Sequence, residues 1–263
     1  MSTSYHLEEG AKELNKIVYA AAHHRLAGQM VSKLCRPVIT RGETYPGDIL
    51  PVIAPDKSGT GRVFPMVWGM TGKKGLIHEI DIDLLERTRN PVLLNAWERH
   101  RCLIPASWYY EWEHLHPTIS YDSYGDQTSE YERRTGRASM FNTDTPDGSE
   151  LIGDRYMLQT RGSAVTMLAG IYRIEEVDEM KFPHFMILTQ EATSDLVFLH
   201  IRMPVIFDAR DAGLLQSWLD PSAMPPWDEE RVLEKAVTDM IYEKRPWKGY
   251  KTASQRAMAQ GAV

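Results

Sequence analysis

The sequence predicts a mixed α+β fold: a curved, mostly antiparallel β-sheet or barrel with flanking helices. Three observations carry this. Strand-like apolar runs are numerous, helical stretches are few, and the runs come at irregular spacing with no internal repeat. The chain has 263 residues, enough for one large domain or two small ones. Its 43% hydrophobic and 25% charged residues are ordinary for a protein that buries a sizeable core. The net charge of −6 gives no overall basic footprint for nucleic acid, so any such groove must be local. Cys35 and Cys102 are too few for a disulfide framework, and Cys102, set in an apolar run, reads as a buried free thiol. No leading apolar stretch resembles a signal peptide, and no run of about 18 apolar residues suggests a membrane span, so a cytoplasmic protein is expected. The nine histidines, His23-His24 and His114-x-His116 among them, show no clean metal spacing. Neither a metal nor a cofactor is expected.

Each element has its own signal. Leu14, Ile17, Val18, Ala21, Ala22 and Leu26 recur at helical spacing and predict an amphipathic helix within residues 8–34. Prolines with Gly42 and Gly47 make 37–55 an extended loop that leads into a strand at Leu50–Ala54. Val63–Met70 reads as the next strand, with Trp68-Gly69 at its end, and Pro91 opens a short helix that runs to Arg99. Arg101–Trp112 is a strand with a tight turn. From Glu113 to Asp154, Ser, Thr, Asp, Gly and Tyr dominate, which marks a long loop or insertion with a short hairpin of its own. Strands resume at Arg155–Thr160, Met167–Tyr172 and His184–Thr189, followed by a helix-like patch at Glu191–Phe198 and a strand fed by His200–Phe207. Asp208–Leu219 is a helix with aspartate at its start. The tail from Ser222 is rich in charge, proline and tryptophan, and its last part, Lys251–Val263, is expected to fray.

The most informative stretch is Trp108-Tyr109-Tyr110-Glu111-Trp112-Glu113. It sets a carboxylate among four aromatic residues at the end of an apolar run. Burial against rings raises a carboxyl pKa because the charged form loses water, which makes Glu111 a candidate general acid or base near neutral pH. A half-exposed edge carboxylate beside core aromatics is the plainer alternative.

Three fragments together resemble one family. They are Arg101-Cys102-Leu103-Ile104-Pro105-Ala106-Ser107-x-Tyr109-Tyr110-Glu111-Trp112, Ile187-Leu188-Thr189-x-Glu191-Ala192, and His200-x-Arg202-Met203-Pro204-Val205-Ile206. Their order, with Trp68-Gly69 upstream, is similar to the SOS response-associated peptidase (SRAP) family. The resemblance covers residues 1 to about 220, apart from the insertion 113–154, and treats 221–263 as a C-terminal extension that packs on or trails from the domain. It implies a sensor of abasic sites in single-stranded DNA. In that family a cysteine after the initiator methionine offers its amine and thiol to the open-chain aldehyde, closing a thiazolidine crosslink. A glutamate and a histidine assist by proton transfer, and the same glutamate aids N-terminal processing. On the matching positions these are Glu111 and His200, with Ser2 in the nucleophile's place. Trp68, His78 and Arg202 stand where the resemblance implies DNA contacts, and Arg202 either holds a phosphate or braces a carboxylate.

The departures bear directly on activity. Ser2 replaces the nucleophilic cysteine, and a hydroxyl is a far poorer nucleophile than a thiol. Its amine still permits an imine but not a thiazolidine. Neither Cys35 nor Cys102 offers an α-amine. Thr3 and Ser4 replace glycine and arginine. The family's Asn-Ala-Arg-x-Glu stretch falls in Gly75–Asp83, with either His78 or Asp81 at the asparagine; the second alignment puts Asp81 and Asp83 where they would repel phosphate. Ile201 replaces an aspartate between His200 and Arg202. Two outcomes are expected of such a member: crosslinking and autoproteolysis lost, or chemistry altered to an imine-based lyase. The alternative is a non-enzymatic interaction module whose insertion and tail, with Trp227 and Trp247, serve a protein partner. A hydrolase built on Ser2 is the weakest reading, since no Gly-x-Ser-x-Gly elbow is present.

Overall fold

A computed structural model of the chain describes residues 4–8, 11–72, 75–114, 119–121, 127–129 and 152–245. It begins in a short buried strand, β1 (Ser4–Leu7). Two helices follow, α1 (Lys12–Ala22) and α2 (Arg25–Leu34), where apolar spacing predicts one. The histidine pair makes the break. His23 ends α1, while His24 is extended and its ring accepts the Leu26 N–H to cap α2.

The proline-rich segment carries β2 (Gly42–Thr44) and β3 (Ile49–Pro55), which folds back as β4 (Gly61–Trp68). The strand expected to run through Met70 stops at Gly69, whose φ of 113° is a conformation glycine adopts without strain. Beyond it β5 (Met70–Gly72) pairs with β6 (Gly75–Ile77). β7 (Glu79–Asp81) then enters α3 (Ile82–Arg87). Pro91 opens α4 (Pro91–Arg99) as expected, with Asn90 accepting the Val92 N–H at 3.0 Å. The Arg101–Trp112 run divides at Ser107 into β8 (Arg101–Ala106) and β9 (Trp108–His114).

Within the polar insertion, β10 (Ile119–Tyr121) and β11 (Gln127–Ser129) form the expected hairpin; most of the remaining insertion lies outside the described residues. β12 (Ile152–Thr160) follows, then the long hairpin of β13 (Thr166–Val177) and β14 (Met180–Glu191). Asp178 and Glu179 join these two strands with φ of 45° and 68°, the two-residue turn whose twist suits a hairpin. The helix-like patch at 191–198 is not a helix: β14 takes Glu191, and what remains closes into successive turns on the carbonyls of Thr193 and Leu196. β15 (Arg202–Pro204) and β16 (Ile206–Phe207) precede α5 (Ala212–Leu219). That helix starts later than expected. Asp211, not Asp208, accepts the Leu214 N–H at 2.8 Å, and Asp208 instead grips Arg210. The chain continues through α6 (Glu229–Lys235) to β17 (Met240–Arg245). Residues 246–263, with Trp247 and the segment expected to fray, lie outside the described residues.

The fold is mixed α+β, as the sequence predicts. β14, β4, β3, β8 and β13 close a ring, each neighbour antiparallel except the β14–β4 pair. β7 and β15 also pair with β14, and β16 pairs with β13. A second antiparallel sheet runs β17-β12-β9-β1-β2. In the larger of two core clusters Trp68 meets Tyr5 at 5.1 Å and stacks on Phe185 at 6.3 Å; the smaller gathers Met30, Ile49, Val67 and Phe182. Cys102 is buried and free, as expected. Arg101, first residue of the longest motif, is buried for a structural reason. Its guanidinium donates to the carbonyls of Trp97, Glu98, Trp218 and Asp220, and so satisfies the carboxyl ends of α4 and α5 together. Among the described residues no helix is long and apolar enough to cross a membrane.

β13 is paired on both sides, and at Gly170 its neighbours leave no room for a side chain. A Cβ there would meet the Met186 carbonyl oxygen and Ile104 Cδ1, both at 2.6 Å. Gly170→Ala is therefore expected to destabilise the barrel by about 1–3 kcal/mol, read as a lower midpoint in urea unfolding at unchanged slope.

Candidate functional site

Strand alternation sorts the aromatic motif into two faces. Tyr109 and Glu111 point inward and are buried, 1% and 3% exposed. Trp108, Tyr110 and Trp112 lie on the other face, half-buried. There His6 stacks on Trp108 at 4.4 Å, and the Arg155 guanidinium lies 3.5 Å over the Tyr110 ring. Arg155 also pairs with Glu43 and reaches the Ser4 hydroxyl at 3.1 Å, while Ser4 donates to Glu43 at 2.7 Å. This clasp holds β1 against β9, with Ser4 opposite Tyr110 and Tyr5 opposite Tyr109.

On the inner face, burial pushes the Glu111 carboxyl up to about 7, and the charge of Glu79 adds to the effect. Its Oε1 accepts the Trp112 N–H at 3.2 Å. Glu79 is raised as well, first by burial and then by Asp81. His78, beside it, has its Nε2 3.7 Å from Glu79 and is held lower than usual by burial. Trp68 is 1% exposed; it fills the core and donates its indole N–H to the His78 carbonyl at 2.9 Å. Trp68 and His78 are thus neighbours, with the tryptophan ring facing Tyr5 and Phe185.

The third motif centres on Arg202. Its backbone N–H donates to His200 Nδ1 at 2.9 Å, and its carbonyl lies 3.1 Å from the same nitrogen. Neutral imidazole accepts the first bond at Nδ1 and carries its proton on Nε2; the imidazolium donates to the carbonyl instead. The Arg202 side chain braces carboxylates. It bonds Asp83 at 3.0 Å and the Thr189 carbonyl at 3.1 Å, and its Nε sits 3.0 Å from Asp81 as an ion contact without hydrogen-bond alignment. Thr189 donates its hydroxyl to Asp81. Asp81 and Asp83, which one alignment reads as groups repelling phosphate, are both paired with Arg202. They brace the segment that carries His200 and Ile201.

β7 ties the two halves together. Glu79 interacts with Glu111, and Asp81, two residues on along the same short strand, takes Arg202. A second link runs through aromatic rings: Tyr156 is paired with Glu111 across β12 and β9, and its ring meets Phe198, two residues before His200, at 5.7 Å. Ser2 lies outside the described residues. Glu79, its side chain 11% exposed, is the acid that sequence reasoning did not single out. It reads there as one charge in a short alternating run, and only the parallel pairing of β7 with β14 turns it inward. Among the described residues no three His, Cys, Asp or Glu side chains gather as a metal site.

Residues 16–245 match the sequence profile of the family described as SOS response associated peptidase (SRAP). Three solved structures are similar in fold. A Bacteroides thetaiotaomicron protein is 14% identical over 92% of both chains, with a TM-score of 0.56. A phage-related protein from Bordetella bronchiseptica is 18% identical over 93% of this chain and 94% of its own, also at 0.56. A further Bordetella bronchiseptica protein is 13% identical over 93% and 100%, at 0.55. No curated protein matches the chain significantly.

The raised Glu111 value makes stability depend on pH. The group's ordinary value is 4.5 and its folded value is about 7, so between these the folded chain keeps a proton that the unfolded chain has lost. Glu111's contribution is least unfavourable below pH 4.5, worsens as pH rises to 7 and is constant above, a total of about 3 kcal/mol. Glu111→Gln removes that decline. Urea unfolding of parent and variant across this range is expected to show the variant gaining on the parent as pH rises; parallel curves mean an ordinary carboxylate.

Proposed function

The chain belongs to the SOS response-associated peptidase (SRAP) family, and from that premise we propose that it recognises abasic sites in single-stranded DNA without forming the thiol-dependent crosslink. One observation carries the reading: a carboxyl buried on β9 and raised to about 7 lies one residue beyond Tyr110, which pairs with Ser4 of β1. Two virtual bonds of about 3.8 Å keep residue 2 within about 7.6 Å of Ser4, Cα to Cα, whatever path the chain takes. An acid that exchanges its proton near neutral pH is the partner that carbonyl addition requires.

In this reading the initiator methionine is removed and the Ser2 amine attacks the aldehyde carbon of the open-chain sugar. A carbon–nitrogen bond forms, Glu111 delivers a proton to the departing hydroxyl, water leaves, and an imine remains. His200 relays protons at the sugar. A thiol would close a thiazolidine on that carbon, but the Ser2 hydroxyl closes at most an oxazolidine that reopens readily. Cys35 is exposed and Cys102 is buried with its thiol pushed far up by burial, and neither carries an α-amine. Arg202, engaged with Asp81 and Asp83, adds little charge for a phosphate. The family's partner is thus held more weakly here, and through a reversible bond.

The test uses the full chain with single-stranded DNA carrying one abasic site, with and without borohydride, after mass spectrometry has established the first residue. The expected result is an adduct only under borohydride, slowed about a hundredfold or more by Glu111→Gln. Ser2→Cys is expected to give an adduct that survives without reductant. A parent chain that neither binds the abasic strand nor forms any adduct ends this reading.

A further inference from the structure

A separate cleft of about 590 Å³ opens at one mouth of the barrel. Its floor is apolar and includes Phe64, Met66, Tyr172 and Pro183. Along β14 the order is Lys181 and Pro183 at the cleft, Phe185 in the stack with Trp68, and Ile187 beside Glu79. The ring stack therefore separates this cleft from the buried carboxyls. Edge contacts hold the two floor rings, His24 on Phe64 at 5.2 Å and His100 on Tyr172 at 5.1 Å.

The rim is cationic. Arg25 opens α2, Lys57 sits in the β3–β4 turn, and Lys181 lies near the start of β14. These exposed cations come from three different elements, and among the described residues none is paired with a carboxylate. The acid that lines the cleft, Asp56, is taken up by its own turn, accepting from Ser58, Thr60 and Arg62. On a chain of net charge −6, three uncommitted cations around an apolar, ring-lined floor select an anion with a flat body. A phosphate monoester, with a charge of about −1.5 to −2 at pH 7, suits three cations better than a carboxylate does.

We propose that this cleft binds a nucleoside phosphate, its base against Phe64 and Tyr172 and its phosphate among Arg25, Lys57 and Lys181. A free mononucleotide and a nucleotide at the end of a single strand present the same chemistry. The site is independent of the reading of Glu111.

Calorimetric titration of the full chain at low salt tests it with dAMP, deoxyadenosine, inorganic phosphate and a 5′-phosphorylated oligothymidine free of abasic sites. Binding of dAMP, of the oligonucleotide or of both supports the cleft and identifies the source, provided that nucleoside and phosphate alone bind at least about tenfold more weakly. The double variant Lys57→Glu/Lys181→Glu, altered only at exposed positions, is expected to weaken binding about tenfold or more and to reduce its salt dependence. Tyr172→Leu is expected to weaken the nucleotide while leaving inorganic phosphate unchanged. Glu111→Gln is expected to leave all four titrations unaltered, which separates this site from the abasic-site chemistry. No binding by the folded parent, or binding that the double variant leaves intact, overturns the proposal.

Discussion

The architecture depends on β14. This single strand pairs with β13, β4, β7 and β15. Its pairing with β13 and β4 closes the barrel, and its pairing with β7 and β15 carries the two motifs that a linear chain keeps far apart. Closure leaves no free edge along those rungs, and each further strand must adopt the register that β14 offers. That register stacks Phe185 on Trp68, sets Glu79 opposite Ile187 and puts Arg202 opposite Glu191. The site follows from how one strand satisfies its backbone hydrogen bonds.

Electrostatics at the site follow a simple division. At Glu111 burial is the largest effect, and the carboxyl holds its proton to about pH 7. Where acids meet Arg202, as at Asp81 and Asp83, the ion pairs form a brace. The two regimes sit at opposite ends of β7, a strand of three residues. The raised carboxyl and the ion-paired brace are thereby kept in adjacent but distinct groups. Arg202, next to Ile201, finds its carboxylates on β7 and α3.

The motif from Arg101 to Trp112 was readable as an apolar strand, a turn and a carboxyl among rings, because alternation and aromatic content are local properties. The strands expected elsewhere in the chain are present for the same reason, although those at Met167–Tyr172 and His184–Thr189 extend to Thr166–Val177 and Met180–Glu191 in one long hairpin. The errors fall where a local pattern met a tertiary demand. The first helix broke at His23-His24 although its apolar spacing continued, since spacing records which face is buried and not whether the backbone is continuous. The patch after Glu191 had helical spacing, but β14 extended into it and left only turns. Asp208 looked like a helix cap, yet Arg210 claimed it and Asp211 took the role.

By itself the sequence determined the fold class, the strand-rich core, the acid set among aromatics and the serine at position 2, all of which rest on residue type and short-range order. Only the tertiary structure decided that Trp68 is a core side chain, that Glu79 is a second, largely covered acid, and that Asp81 and Asp83 pair with Arg202. The physical reason is that burial and ion pairing are properties of neighbours across strands, and those neighbours are chosen by the register of barrel closure.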